Sequence, residues 1–517
     1  MSMRIPASAR ARAGTWLGFV LMCLGMFMAI LDIQVVATSL PTIQEALAIS
    51  RDAMSWIQTA YLIAEIIAIP LTGWLTRLLS LRWLFVIAIS LFTLASIGCA
   101  SSGDFATLIS FRVLQGFAGG TLIPAVFSAV FLLFPIRLYP VATTMAGILA
   151  VLAPTVGPVV GGWITETWSW PWLFLINVVP GIIAAAATPF LLPRGRLRLA
   201  NLATLDGYSL ALMAVALASL EIGLKQAPQD GWLSPRSGAL FVLSAAAATV
   251  FAARTLKASH PVVDLSTLRT RSFAIGCILS FCLGVGLFGS VYLMPVFLAY
   301  VRNHDAFAIG TIMLVTGIAQ LATAPIAGSL EGRWDPRWLS AMGFSLFALG
   351  LGCSAFQSRV ADFDEMFWPQ VLRGAAIMFC LLPPTRLALS ALAPKQVPDA
   401  SGLFNLMRNL GGAIGIALID TILYGRTSGH AEALRDRLIA GDVTAAQAIG
   451  LDLKLFLHRP PDASDATVEA YLRPMVEKAA FALSINEAWA LLACAALLGL
   501  LLVPFAGPPL RTEPGQH

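Results

Sequence analysis

The chain has 517 residues, 58% of them hydrophobic and only 12% charged, with a mean hydropathy of +0.81. Soluble domains carry about 25% charged residues, so this composition excludes a soluble enzyme, a disordered chain and a nucleic-acid module. The 33 Lys and Arg against 28 Asp and Glu leave a net charge of +5, too thinly spread to make a polybasic field.

A helix needs about 20 mostly apolar residues to cross a bilayer. In chain order, fourteen stretches qualify: 16–40, 53–75, 82–100, 105–130, 142–164, 171–192, 206–224, 237–256, 273–301, 306–330, 338–356, 363–384, 400–424 and 486–505. They are expected to be helices, because lipid offers backbone groups no hydrogen-bond partner. Barrel strands would be short and alternate in polarity, and none of these does. The fold class expected is an all-α polytopic membrane protein with fourteen transmembrane helices. The first span is similar to a signal sequence but has no convincing cleavage site, so it reads as retained.

Positive charge sets the orientation. With the N-terminus inside, the short inner segments hold eighteen Lys and Arg, among them Arg4, Arg10, Arg12, Arg77, Arg82, Arg137, Arg194, Arg196 and Arg198. The short outer loops hold five: Arg51, Lys225, Arg236, Arg302 and Arg359. Both termini are therefore expected in the cytoplasm. The seven cysteines fall inside spans without zinc spacing, and no Walker A pattern occurs. No metal, disulfide framework or nucleotide site is expected.

The chain repeats itself. Pro70-x-x-Gly73-x-Leu75 with Arg82-Trp83-Leu84 recurs as Pro325-x-x-Gly328-x-Leu330 with Arg337-Trp338-Leu339, at a constant offset of 255. Val113-Leu114-Gln115-Gly116 recurs as Val371-Leu372-Arg373-Gly374. A shift of eight spans implies a 6 + 2 + 6 layout of parallel repeats. The expected divisions are 1–192, a six-helix bundle; 193–272, two extra helices and linkers; 273–505, a second six-helix bundle with an outer loop at 425–485; and 506–517, a cytoplasmic tail. Two such halves with a site between them describe an alternating-access transporter.

Four motifs stand in order on the expected spans: Leu31-Asp32-Ile33-Gln34 leading to Leu40-Pro41, Arg112-Val113-Leu114-Gln115-Gly116, Pro154-Thr155-Val156-Gly157-Pro158-Val159-Val160-Gly161-Gly162, and Arg408-Asn409-Leu410-Gly411-Gly412. Through them the chain resembles the major facilitator superfamily, specifically its fourteen-span drug:proton antiporters of the EmrB/QacA type. The resemblance implies the major facilitator fold and proton-coupled efflux of small amphipathic compounds by alternating access. It also implies a bacterial inner-membrane location, no cofactor beyond the proton gradient, and work with a periplasmic adaptor protein and an outer-membrane channel. Two departures stand out. The loop after span 2 has Arg77 where the family has Asp and Ser80 where it has Gly, which questions the inner gate expected at Gly73, Arg77 and Arg82. The fifth-span motif has Thr144 and Ala153 where the family has glycines.

Ionisable residues inside lipid are costly, so they mark function or fixed pairs. Seven lie within spans: Asp32, Glu65, Arg112, Glu221, Arg373, Arg408 and Asp420. Asp32 and Arg112 lie about 12 and 10 Å below the outer ends of their spans, so an ion pair is feasible. The resemblance assigns both to proton coupling. Glu65, near the middle of span 2, is a second proton site or a counter-charge for a cationic substrate. Arg408 binds an anionic group or ties down span 13. Arg373 reads as half of a structural pair, and Asp420 and Glu221 as structural residues near the outer interface. Gly157, Gly161 and Gly162 allow close helix approach, and Pro154 and Pro158 bend the span, which suits a gating role. Candidate substrate contacts are Gln34, Trp56, Gln58, Tyr61, Tyr292, Met294, Phe297, Phe404 and Arg408, polar or aromatic groups suited to an amphipathic ligand. Beyond multidrug export, the same scaffold could export one endogenous metabolite, such as a fatty acid, siderophore or secondary metabolite. A receptor would need a soluble domain. A membrane enzyme would need catalytic clusters, and the five histidines all lie outside the spans.

Overall fold

The computed structural model describes residues 13–49, 54, 56–195, 206–258, 261–331, 333–451 and 466–507. Arg4, Arg10, Arg12, Arg51, Arg196, Arg198, His260, His458, His517, the Pro460-Pro461 pair and the tail beyond 507 lie outside the described residues.

Among the described residues, thirteen helices are long and apolar enough to cross a membrane. The first half holds α1 (Ala13–Ala46), α2 (Trp56–Ala100), α3 (Phe105–Leu133), α4 (Tyr139–Thr167), the short α5 (Trp172–Leu175) and α6 (Val178–Leu191). An extra pair follows, α7 (Gly207–Asp230) and α8 (Pro235–Thr255). The second half holds α9 (Arg271–Tyr300), α10 (Ala306–Glu331), α11 (Pro336–Cys353), α12 (Phe363–Leu389), α13 (Val397–Ile439), α14 (Val443–Ile449) and α15 (Ala466–Leu502).

Length reconciles thirteen helices with fourteen crossings. At 1.5 Å per residue, the 45 residues of α2 would run about 68 Å, twice the hydrocarbon core. The helix is instead two spans folded at Ser80, where φ is 68° and ψ is 157°. The protein is an all-α, fourteen-span membrane protein. One end of the bundle carries Arg77 and the start of α1, and the other carries Trp56. Polar caps mark where helices begin: Asp104 accepts from Thr107 N at 2.9 Å, and Asp206 from Ser209 N at 3.1 Å. Thr107 holds the Asp104 carboxyl below its usual range.

Several boundaries differ from the sequence expectation: α1 runs to Ala46 rather than 40, the span expected at 171–192 breaks at Asn177, and α15 starts at Ala466 rather than 486; two more bear on the site. Span 2 does not end near residue 75; the helix carries Arg77 within its last turn before the fold at Ser80. The extra span does not end at residue 224 either, because α7 continues through Lys225 to Asp230. Both extensions are polar on one face only, so a mean-hydropathy limit falls short of the helix end. The segment 425–485, expected as an outer loop with amphipathic stretches at 432–439 and 467–482, is largely helical among its described residues. α13 runs on to Ile439, and Leu434, Leu438, Ala445, Ala446, Ile449, Val476, Ala479 and Ala480 make a small separate core with α14 and α15. Asp442 caps α14, and the Thr444 hydroxyl and Arg437 hold its carboxyl well below the usual range.

Ser80 occupies backbone space that is essentially glycine-only, at a cost of about 1–3 kcal/mol. Glycine would relieve that strain and give back about 0.5–1 kcal/mol through the freer unfolded chain. Ser80→Gly is therefore expected to stabilise the purified protein by about 1 kcal/mol, read as a higher melting temperature in detergent. An unchanged or lower value would remove the strain from this account.

Candidate functional site

Asp32 on α1 and Arg112 on α3 meet inside the first half, both with no solvent exposure. Arg112 Nη1 donates to Asp32 Oδ2 at 2.5 Å. The second carboxylate oxygen accepts from Gln115 Nε2 and Asn177 Nδ2, each at 2.9 Å. Arg112 also donates from Nε to Ile57 O at 3.1 Å and from Nη1 to Gln115 Oε1 at 2.7 Å. Its guanidinium lies 4.3 Å from the Tyr61 ring centre, and the Tyr61 hydroxyl donates to Ala29 O at 3.1 Å. Burying an ion costs several kcal/mol unless the partner and hydrogen bonds are in place. Here α1, α2, α3 and the α5–α6 junction each supply part of them. Arg112 Nη2 and Asn177 Oδ1 still lack a partner among the described residues.

Glu65 on α2 is 3% exposed and makes no hydrogen bond among the described residues. It interacts electrostatically with Arg112 and Asp32 on its own half, with Arg408 on α13, and with Glu221 on α7. Arg408 donates to Asn405 Oδ1 and lies 5.7 Å from the Phe127 ring of the first half. Glu65 and Arg408 thus link the buried pair to the seam between the halves.

That seam is packed shut at the Arg77 end. Arg77 forms an ion pair with Asp399 in the first turn of α13, and its other nitrogen reaches Pro261 O at 3.3 Å. A Cβ on Gly73 would strike the Asp399 carboxylate, and one on Gly402 would lie 2.8 Å from Ile69 O. Ser401 Oγ donates to Pro124 O at 2.9 Å. The second seam joins α4 to α10. There Val159, Thr155 and Thr144 press against Gly310, Gly317 and Gly328, where added Cβ atoms would come within 2.4, 2.1 and 2.3 Å.

The Major Facilitator Superfamily model matches residues 22–416. The chain belongs to the major facilitator superfamily. It is 39% identical to the colistin resistance protein EmrB of Acinetobacter baumannii over 83% of this chain and 84% of that one. It is 30% identical to the multidrug export protein EmrB of Escherichia coli K12 over 94% of each. These place it in the EmrB branch. Among solved structures it is similar to the proton:xylose symporter XylE, with a TM-score of 0.58 over 95% of each chain at 12% identity, which supports the fold alone.

The other residues singled out from this superfamily member's sequence fall in several settings. Gly157 faces Gln34 of α1, where an added Cβ would lie 2.4 Å from the Gln34 Cβ. Pro154, Pro158 and Gly161 are buried on the same helix and Gly162 is half-buried. Phe297 and Phe404 are buried in the second-half core, and Tyr61 is committed to Arg112. Tyr292 donates to Asp420 Oδ1 at 2.7 Å. Trp56 sits half-exposed with Lys225 Nζ 5.1 Å from its ring, while Gln58 is half-buried nearby. Arg82 stacks on Trp83 at 5.3 Å. Arg373 has no carboxylate partner among the described residues. Its guanidinium rests 4.6 Å from the Trp489 ring, with Nη2 3.4 Å from Met294 Sδ.

Sequence reasoning passed over Gln115 and Asn177 as site residues and missed Asp399. Asn177 had a signal, being an amide within the apolar run Leu173–Val179. Asp399 had none, because it lies just before the span expected at 400–424.

The Arg77–Asp399 pair is part-exposed on the arginine side, at 36%, and nearly buried on the aspartate side, at 3%. Arg77→Asp is expected to place two carboxylates against each other and unseat this end of the seam. In that variant a cysteine introduced at Ser401 should become reactive to water-soluble maleimides. The double exchange Arg77→Asp with Asp399→Arg should return much of the protection. Equal reactivity in the single and double variants would show that the pair does not hold the seam.

Proposed function

We propose that this protein exports small amphipathic compounds across the bacterial inner membrane in exchange for protons, with both termini and the Arg77 end in the cytoplasm. The observation that carries the reading is the Asp32–Arg112 pair, a carboxylate and a cation at zero exposure within an apolar bundle. A charged pair there serves no lipid-facing role. A proton on Asp32 removes the negative charge that holds Arg112, so protonation and the position of Arg112 are linked. Glu65 lies where it feels both Arg112 and Arg408, so a change at the first site is felt on the second half.

In the observed arrangement the Arg77 end is packed shut. Alternating access requires this seam to part and the opposite end to close. Glycine-to-side-chain contacts along α4 and α10 suit a rocking surface, because they involve few directional bonds. The relatives' names, multidrug export and colistin resistance, support outward movement of amphipathic compounds. In this orientation the helical lobe around Leu434 and Val476 faces the periplasm. The family resemblance supports an adaptor protein there, leading to an outer-membrane channel.

The reading is tested by ethidium efflux from cells expressing wild type, Asp32→Asn and Glu65→Gln, with and without a protonophore. Wild type should export dye and stop when the protonophore is added. Asp32→Asn should appear in the membrane at normal level yet lose at least about tenfold in rate, the equivalent of 1.4 kcal/mol. Glu65→Gln should slow efflux and alter its pH dependence. Efflux that persists in the protonophore, or that survives Asp32→Asn unchanged, would sink proton antiport through Asp32.

A further inference from the structure

The extra helix pair brings a carboxylate to the proton site. α7 packs against α8 on one side and against both α13 and α2 on the other. Gly223 faces α8, where an added Cβ would lie 2.9 Å from Phe241. Glu221 precedes it by two residues, about 200° round the helix, so it points away from α8 and toward the two halves. Its depth matches this placement. Glu221 lies nine residues below the end of α7 at Asp230, and Glu65 nine residues below the start of α2 at Trp56. Both are therefore about 14 Å from the same end of the bundle. The sequence reading put Glu221 near the interface because it ended the span six residues too soon.

We propose that Glu221 is a proton-binding residue that works as one unit with Glu65, making α7 part of the proton pathway. This rests on the antiport reading given above. Glu65 is buried with no hydrogen-bond partner among the described residues, and Glu221 acts on it electrostatically. Two negative charges so placed repel in a low-dielectric site, and a proton on either relieves the other. When the neutral acid of Glu221 passes its proton to the Glu65 carboxylate, Glu221 becomes the charged partner. The proton count and the net charge of the pair stay the same.

The charged neighbours define the direction. On α7, Lys225 sits one turn nearer the Trp56 end, donates to Thr59 Oγ1 of α2 and acts electrostatically on Glu221. From α13, Arg408 acts electrostatically on Glu65, while Tyr424 accepts from Gln229 nearer the end. On α8, Arg236 and Arg254 stand at opposite ends, opposite Asp230 and Asp206. Protons therefore reach the Glu221–Glu65 unit from the Lys225 side, and Glu65 connects it electrostatically to the Asp32–Arg112 pair.

The test uses the full-length purified protein and protons alone as the probe. Infrared difference spectra between alkaline and acid pH should show protonated-carboxyl components lost singly in Glu221→Gln and Glu65→Gln. In Glu221→Gln the midpoint of the Glu65 component should move by about one pH unit or more, as expected for coupled sites. Glu65→Gln should move the Glu221 component reciprocally, which keeps the test decisive if either variant is poorly folded. In proteoliposomes, Glu221→Gln should slow ethidium export driven by a pH gradient about tenfold. An unmoved Glu65 midpoint in a protein whose wild type antiports would overturn the role of Glu221 alone. Wild-type ethidium export with no response to the pH gradient would overturn the antiport reading, and the pathway with it.

Discussion

The Asp32–Arg112 pair constrains how the first half can pack. Two ions at zero exposure in a lipid-embedded bundle are costly unless most of the remaining lone pairs and protons find partners. That demand fixes α1 against α3, draws Gln115 and Ser96 into one chain of hydrogen bonds, and recruits Asn177 from the α5–α6 junction. It also fixes the Tyr61 ring over the guanidinium. The satisfaction is incomplete, since Arg112 Nη2 and Asn177 Oδ1 are left over. A fully satisfied network would favour one geometry only. One with spare donors and acceptors can exchange partners, and a proton-linked site must be able to do so.

The internal repeat acquires a mechanical meaning from the two seams. Gly73 packs against Asp399, and Gly328 packs against Thr144. Both members of the pair are displaced by the same 255 residues, so the same contact is made twice, once from each half to the other. The copies differ in chemistry. At the first, Arg77 closes an ion pair with the aspartate, which also sits favourably in the first turn of α13 near the positive end of the helix dipole. At the second, the aspartate position is a threonine. The charge pair is thus carried by one seam, with the cation on α2 and the carboxylate on α13.

Much of this was legible in the sequence, for a clear reason. Hydropathy over 20 residues reports what lipid requires of backbone, so the span count and the repeat could be read directly. Depth counting brought Asp32 and Arg112 to like depth from a span end at residue 40, six residues short of the end of α1, and it is the packing of α1 against α3 that joins them. What failed were inferences needing a helix end or a partner on another element. α7 was cut at residue 224 because Lys225 and Gln226 lower the mean, although Lys225 is held by Thr59 and Trp56. Glu221 was consequently misplaced in depth. Arg77 lost its expected acidic identity, and its real partner stood 322 residues away at the edge of a span. Arg373 was expected to find a carboxylate and instead rests on the Trp489 ring, a partner no charge count would reveal.

The extra helices raise the question of why twelve spans do not suffice. At the Trp56 end, α7 bonds to both halves: Lys225 to Thr59 on α2, Gln229 to Tyr424 on α13, and Trp232 in the following turn to Thr421 on α13. The two neutral hydrogen bonds contribute only about 0.5–1.5 kcal/mol each and the one from Lys225 about 1.5–3 kcal/mol. They are strong enough to seat α7 over the flank between α2 and α13 and weak enough to be exchanged when the halves rock. A helix held this way covers the flank between α2 and α13. Position and chemistry then agree. The helix that closes the flank is also the one that carries a carboxylate at the depth of the buried site, which gives the added span a reason to be polar at Glu221 and Lys225, where a mere spacer would be apolar.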